Sequence, residues 1–318
     1  MEFAKLKYFV CVASSETMQQ AAEVLNVSQS TLSMAIHGLE EELGVQLFQK
    51  VGRKLQLTEA GAALQIEASD ILLQLENMRH RIGLYRQNTE GRVAIATEAP
   101  DFCAEAETLY RKRRPSCNII QDLAPRQAIR PLLYSGQVDF ALTLFDDSDS
   151  AVESTLVLKE PMLLLVNGEH WLANEDRINF NQLGQETLIS LPGSYGFRYL
   201  CEYFFSMVGV RLRNIHEVRD PEMTPRAVHS GFGVGFIPRS VYLQSQQQMS
   251  YVHAIKINDS FCTRQVYLTR LRDKEFSASA QRFFDFLMAY GQWTDTHGRY
   301  PQPAELGEIQ PDEQEAGA

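Results

Sequence analysis

The chain has 318 residues, 44% of them apolar, and carries 30 Lys and Arg against 40 Asp and Glu, a formal net charge of −10. That length points to two or three folding units, the apolar fraction is ample for a packed core, and no apolar run approaches the ~20 residues needed to span a bilayer. The net charge argues against a nucleic-acid partner until its placement is read: residues 1–90 carry −3, residues 91–294 carry −2, and the remaining −5 lies in residues 295–318.

Five cysteines are odd in number, dispersed and without a CxxC pair. They suggest neither a disulfide framework nor a zinc knuckle, and the simple reading is reduced, buried thiols in a cytoplasmic protein. A redox pair of Cys103 and Cys117 is the sharper alternative. No metal site or cofactor is expected, and the N-terminus enters a helical pattern directly, with no signal-peptide architecture.

Leu6, Phe9, Val10 and Ala13 make a helical stripe over residues 2–14. Ser15 or Thr17 can cap the next helix, Gln20 to Leu25, and Ser28 caps a third whose apolar positions are Leu32, Ala35, Ile36 and Leu39. Small Ala21 and Ala22 allow the helices to approach, and Asn26 marks the turn, so the stretch from Gln19 to Leu43 reads as a helix-turn-helix. Its outward positions are Ser28, Gln29, Ser30, Ser33, Met34 and His37, the side chains placed to read DNA. Glu40, Glu41 and Glu42 then read as a solvated helix end.

GVQLFQKVGRKLQLTEAG alternates as a two-stranded hairpin turning near Gly52. It carries Lys50, Arg53 and Lys54, three of the five Lys and Arg in the first 65 residues, where a wing would touch the phosphate backbone. Thr58 starts a long helix to about Asn88. Along it Leu64, Ala68, Ile71, Leu75, Met78, Ile82 and Tyr85 repeat at alternating spacings of 4 and 3, a heptad seam expected to pair with a second copy of the chain.

From Gly91 strands alternate with helices, an α/β pattern. The expected strands begin at Val93, Asn118, Asp139, Met162, Leu188, Asn214, Val234 and Gln265, and a helix from Ala278 to Tyr290 follows. The basic run Arg111 to Arg114 sits in the last turn of a helix, where the dipole favours cations. Beyond about Trp293 the composition turns to Pro, Gly, Glu and Gln, and a disordered acidic tail over 295–318 is expected.

Taken together, LKYFVCVAS, AAEVLNVSQSTLSMAIHGLEEELGVQLF and RKLQLTEAG, in that order and spacing, resemble the LysR-type transcriptional regulators. SGQVDFALT, EPMLLLV and VHSGFGVGFIP add weaker support. The resemblance covers residues 3 to about 292. It implies an N-terminal all-α winged helix-turn-helix (1–58), a dimerisation helix (59–89) and an α/β effector domain (90–294) of two Rossmann-like lobes, as in periplasmic binding proteins. Lobe I would comprise 90–160 and 266–294, and lobe II 161–265, with the chain crossing near Pro161 and returning near Arg264. The partners implied are double-stranded promoter DNA, a small-molecule effector and a second copy of the chain, as dimer or tetramer, with no membrane.

Positions matching the family's effector pocket are Thr97, Glu98, Arg126, Gln127, Thr143, Ser194, Tyr195, Arg198 and Phe236. Hydroxyls and helix N-termini there suit a carboxylate; Glu98 does not, unless it meets an amine. The sequence departs from the family at Ser30, where proline is common, and at Met34 and His37, where basic residues are frequent. Base reading then rests on Gln29 with adenine and Met34 with a thymine methyl. An alternative follows from the uncharged helix, a ligand- or partner-binding protein with weakened or lost DNA binding. An enzyme is the other class, but no catalytic motif supports it: Ser194 lacks the glycine two residues before it that a nucleophile elbow requires, and His216 and Glu217 do not form HExxH.

Overall fold

The computed structural model describes residues 2–15, 17–51, 54–84, 91–184, 186–210 and 214–309. The first unit comprises α1 (Phe3–Ala13), α2 (Met18–Leu25), α3 (Gln29–Leu43), a hairpin of β1 (Phe48–Val51) and β2 (Lys54–Leu57), and the 26-residue α4 (Glu59–Leu84). Thr17, rather than Ser15, caps α2, its hydroxyl accepting from the Gln20 N–H. Asn26 closes that helix with φ of 54°, a left-handed conformation that Asn tolerates better than most residues, and this sets the turn into α3. Ser28 caps α3 by accepting from the Thr31 N–H at 3.1 Å. Phe9, Val10, Ala21, Leu32, Ile36, Leu39 and Leu47 are buried together beneath these helices.

Two expectations change here. Glu40 is not solvated: it is 9% exposed, and its Oε1 accepts from the backbone N–H groups of Leu47 (2.7 Å) and Phe48 (3.2 Å), the strand end that α3 must meet. Ala68 is buried in this same core with Leu64 packed against it, because the first turns of α4 lie on α1. Those two positions therefore serve the domain's own packing, and Leu72 joins them. Ile66, Ile71 and Met78 stay exposed along α4. Gly61 is required where α4 passes the hairpin, since a Cβ there would collide with the Leu47 carbonyl. Tyr85 and Arg53 lie outside the described residues, as do the side chains of Ile82, Lys50 and Lys54.

The rest is an α/β unit: β3 (Arg92–Thr97), α5 (Pro100–Arg113), β4 (Asn118–Leu123), α6 (Arg126–Tyr134), β5 (Phe140–Thr143), β6 (Val152–Val166), β7 (Arg177–Ile178), β8 (Thr187–Ser190), α7 (Gly196–Met207), β9 (Asn214–Glu217), α8 (Met223–His229), β10 (Val234–Pro238), α9 (Arg239–Ser245), β11 (His253–Ile257), β12 (Thr263–Leu271) and α10 (Ala278–His297). Parallel β4, β3 and β5 lie beside antiparallel β12, which pairs with residues 152–161 of β6. The other end of β6, residues 162–166, pairs with β10 and β11, and parallel β8 and β9 extend that second lobe. The change of partner falls at Pro161: pairing with β12 ends there, with one further bond from the Met162 N–H to the Cys262 carbonyl at 3.0 Å, and pairing with β10 begins at Met162. The chain therefore crosses between lobes within one long strand. α10 returns to the first lobe, where Phe283, Phe284 and Leu287 join its core.

The tail also departs from expectation. α10 runs to His297, Pro303–Glu308 forms a 3₁₀ turn, and Tyr300 and Ile309 are each 1% exposed. Arg113 donates to the carbonyls of Leu306 and Ile309, and Arg299 pairs with Glu305. Two apolar residues in an acidic segment are enough to seat it once backbone carbonyls find a guanidinium. Residues 310–318 lie outside the described residues.

At the crossover, Arg264 is 1% exposed and pairs with Glu160 (2.7 Å) and Asp101 (2.8 Å), and also donates to the Tyr300 hydroxyl (3.1 Å). Removing one member of such a cluster leaves buried charge uncompensated, which costs on the order of 3–5 kcal/mol. Arg264→Met is expected to destabilise the effector domain by that amount in urea unfolding followed by Trp171 and Trp293. Adding Glu160→Gln to Arg264→Met should recover part of the loss, and strict additivity of the two would show the pair is not coupled.

Candidate DNA-reading head and effector cleft

Ser28, Gln29, Ser30, Ser33, Met34 and His37 are all exposed on or at the start of α3, with Met34 69% exposed. Thr31 shares this exposure and bonds the Ser28 hydroxyl at 2.7 Å, so it belongs to the same surface although the sequence reading passed over it. Leu32, Ile36 and Leu39 turn inward from the same helix. The helix is thus amphipathic with a polar, nearly uncharged outer face. His37 lies 3.4 Å from Glu41 one turn on. The hairpin register, with Lys50 opposite Leu55 and Val51 opposite Lys54, brings the two wing lysines near one end of the ribbon.

Between the lobes a cavity of about 770 Å³ lies among α5, α8, α9 and the end of β10, a size typical of small-molecule sites. Of the nine expected effector residues, Glu98 and Phe236 line it. Phe236 is stacked on Phe180, with ring centroids 5.6 Å apart. Glu98 is buried between the lobes. Its Oε2 accepts from the Leu144 N–H at 2.9 Å and lies 3.7 Å from Arg126, whereas its Oε1 has no hydrogen-bond partner.

The other seven are engaged elsewhere or sit outside the cavity lining. The Thr97 hydroxyl accepts from the Ala99 N–H, the Thr143 hydroxyl bonds Thr269 and donates to the Phe145 carbonyl, and neither residue lines the cavity. Arg198 is buried and spent on Glu202 and the Leu191 carbonyl. Arg126 pairs with Asp147 at 2.8 Å and lies over the Phe145 ring, while its backbone N–H donates to the Ser194 carbonyl, joining the lobes. Tyr195 supplies the residue before α7, and Gln127 is half-buried on α6. In their place the cavity takes Glu105, Arg226, Tyr251 and Tyr300. Nothing in the spacing of α8 shows which face meets the cleft, and Tyr300 lies in the segment read as tail.

Burial pushes the Glu98 carboxyl up to about 7, although the Leu144 N–H and the Arg126 guanidinium pull it down. The folded chain therefore holds this proton more tightly than the unfolded chain, and its stabilising effect is lost as pH rises from about 4.5 towards 7. Glu98→Gln, which cannot ionise, should melt progressively higher than the parent chain as pH rises from 5 to 8, by up to ~3 kcal/mol at the upper end. A gap in melting temperature that stays constant over that range would contradict the buried, uncompensated carboxyl.

Residues 3–62 match the family described as the bacterial regulatory helix-turn-helix protein, lysR family, and residues 86–292 match the LysR substrate binding domain. The RuBisCO operon transcriptional regulator of Allochromatium vinosum is 26% identical over 287 residues, covering 90% of this chain and 95% of that protein. The HTH-type transcriptional activator CmpR of Synechocystis is 26% identical over 293 residues, covering 91% and 95%. Among solved structures, full-length BenM aligns over 95% of this chain and 100% of its own with a TM-score of 0.54 and 22% identity. CbnR complexed with its target DNA aligns over 92% and 100% with a TM-score of 0.52 and 20% identity, so both share the fold. Among the described residues, no helix is long and apolar enough to cross a membrane. With a reading helix, a wing and a two-lobed cleft in one chain, and with both family models matched, this protein is a member of the LysR family of transcriptional regulators.

Proposed function

We propose that the chain binds promoter DNA as a dimer, reads bases with Gln29, Ser33 and Met34, grips the phosphates with Lys50, Arg53 and Lys54, and answers to a small molecule held between its lobes. The observation that carries the DNA assignment is Met34, a large apolar side chain left 69% exposed on a helix whose neighbouring outer positions are all polar. A thymine methyl gives such a side chain an apolar partner in the major groove, and the Gln29 amide matches the adenine edge. Pairing through Ile71, Leu75 and Met78 supports the dimer, since Ile71 and Met78 remain exposed on α4. The cleft residues offer binding, not turnover. The curated relatives above are transcriptional regulators.

The test is footprinting on the promoter region next to the chain's own gene, with anisotropy titrations over a range of salt. Gln29→Ala should lose on the order of 1–3 kcal/mol of discrimination between the operator and a variant with the contacted base changed. Lys50→Ala should weaken both sequences alike and reduce the salt slope by about one. Equal operator discrimination by Gln29→Ala and the parent would remove the base assignment. Ile71→Glu with Met78→Glu should shift the sedimenting species to the monomer; an unchanged dimer would place the interface elsewhere.

A further inference from the structure

The place where an anion would be most welcome in this cleft is already filled by the chain itself. α7 begins at Gly196, and a helix N-terminus favours negative charge. The Glu98 carboxylate lies against that first residue, so close that a Cβ on Gly196 would collide with both carboxylate oxygens and displace the side chain. One oxygen of Glu98 is satisfied by the Leu144 N–H; the other, Oε1, is buried and lacks a donor, and Glu98 is among the residues that line the cavity. A buried acceptor without a donor is costly, and a ligand that brings an N–H to it gains what the protein leaves unmade.

The rest of the wall agrees in sign. Glu105 on α5 faces the same space with one long contact, 3.4 Å, from the Gln244 amide. Asp101 is wholly engaged by Arg264 and Tyr300. Arg226 and His229, which also line the cavity, are exposed on α8, and Glu222 is exposed beside them. Between these walls the lining is apolar: Leu165, Leu191, Phe236 and Ile237 are buried beneath it. Of the guanidiniums near by, Arg126 is paired through Nη2 with Asp147 and does not line the cavity, and Arg226 lines it from an exposed position on α8, so the buried end of the cavity presents Glu98.

We infer that the effector is a cation: an amine or amidine on an apolar or aromatic body, its N–H donating to Glu98 Oε1 with Glu105 as a second acceptor and its body lying against Phe236. This rests on the reading of the cleft as the effector site and specifies the ligand class it takes. Tyr300, from the segment that follows α10, forms part of the wall and keeps Asp101 turned towards Arg264 through a 2.7 Å hydrogen bond.

Calorimetry on the full-length chain with matched probes separates the charges: tryptamine against indole-3-acetate, and benzamidine against benzoate. The cation of at least one pair is expected to bind one per chain and at least tenfold tighter than its carboxylate twin. Glu98→Gln should weaken that cation at least tenfold, and Glu105→Gln less, with both variants melting cooperatively. Tighter binding of the carboxylates, unaltered cation binding by Glu98→Gln, or binding of no probe in either pair overturns the inference. The promoter footprint reads the regulator independently of ligand charge, so a chain that footprints normally but prefers indole-3-acetate refutes the cation alone and leaves the effector-responsive regulator standing.

Discussion

The Arg264 guanidinium is the point on which the two lobes are pinned. It reaches Glu160 at the crossover within the shared strand, Asp101 in the first turn of α5, and Tyr300 beyond α10. Glu160 in turn accepts from the Ser240 N–H at 2.8 Å, at the start of α9 in the second lobe. One buried cation therefore touches both crossover strands and the final segment directly, and the second lobe through one carboxylate. The cluster carries two acids for one base, an excess that burial tolerates only because a hydroxyl and a helix N-terminus supply further donors. It also sets the position of α5, the wall from which Glu105 meets the cavity.

Ion pairs so placed tie geometry to chemistry. A hydrophobic replacement of the cluster would not fix α5, α9 and the terminal segment in one register, because apolar contacts lack the direction of hydrogen bonds. The same reasoning explains the aromatic packing around Phe180, Phe204, Phe205 and Phe236, which fills the second lobe with rings and leaves the cleft as the space the rings do not reach.

What the sequence makes legible is local. Ser28 as a cap, Thr58 before α4, the inward stripe Leu32, Ile36 and Leu39, and the alternating strands all follow from the chemistry of neighbours, and the structure has them. The long-range partners are not readable in that way. Glu40 sits in a run of three acids and differs from Glu41 and Glu42 only because two strand N–H groups arrive beneath it. Thr97 and Thr143 have the right hydroxyls for a ligand, but those hydroxyls turn to the backbone and to Thr269. Tyr300 and Ile309 are two apolar residues in a polar segment, too sparse to register as periodicity, and their burial depends on a surface built by α5 and α10. α9, which lines the cleft, is a short helix that follows Pro238 and has no charge pattern to announce it.

The contact made by Glu40 has a mechanical consequence for the whole molecule. Because one carboxylate grips both the strand entering the wing and the helix that bears Gln29 and Met34, the two probes are welded into a single tool with a fixed angle between them. The contact opposes any change in the angle between that helix and that strand when the head meets a groove of different width or pitch. Any tuning of the distance between two heads on a promoter then falls to the 26-residue stalk of α4, ~39 Å at the usual rise per residue, or to the lobes beyond it. Signals from the cleft would accordingly alter where a rigid stylus lands, and leave its shape alone.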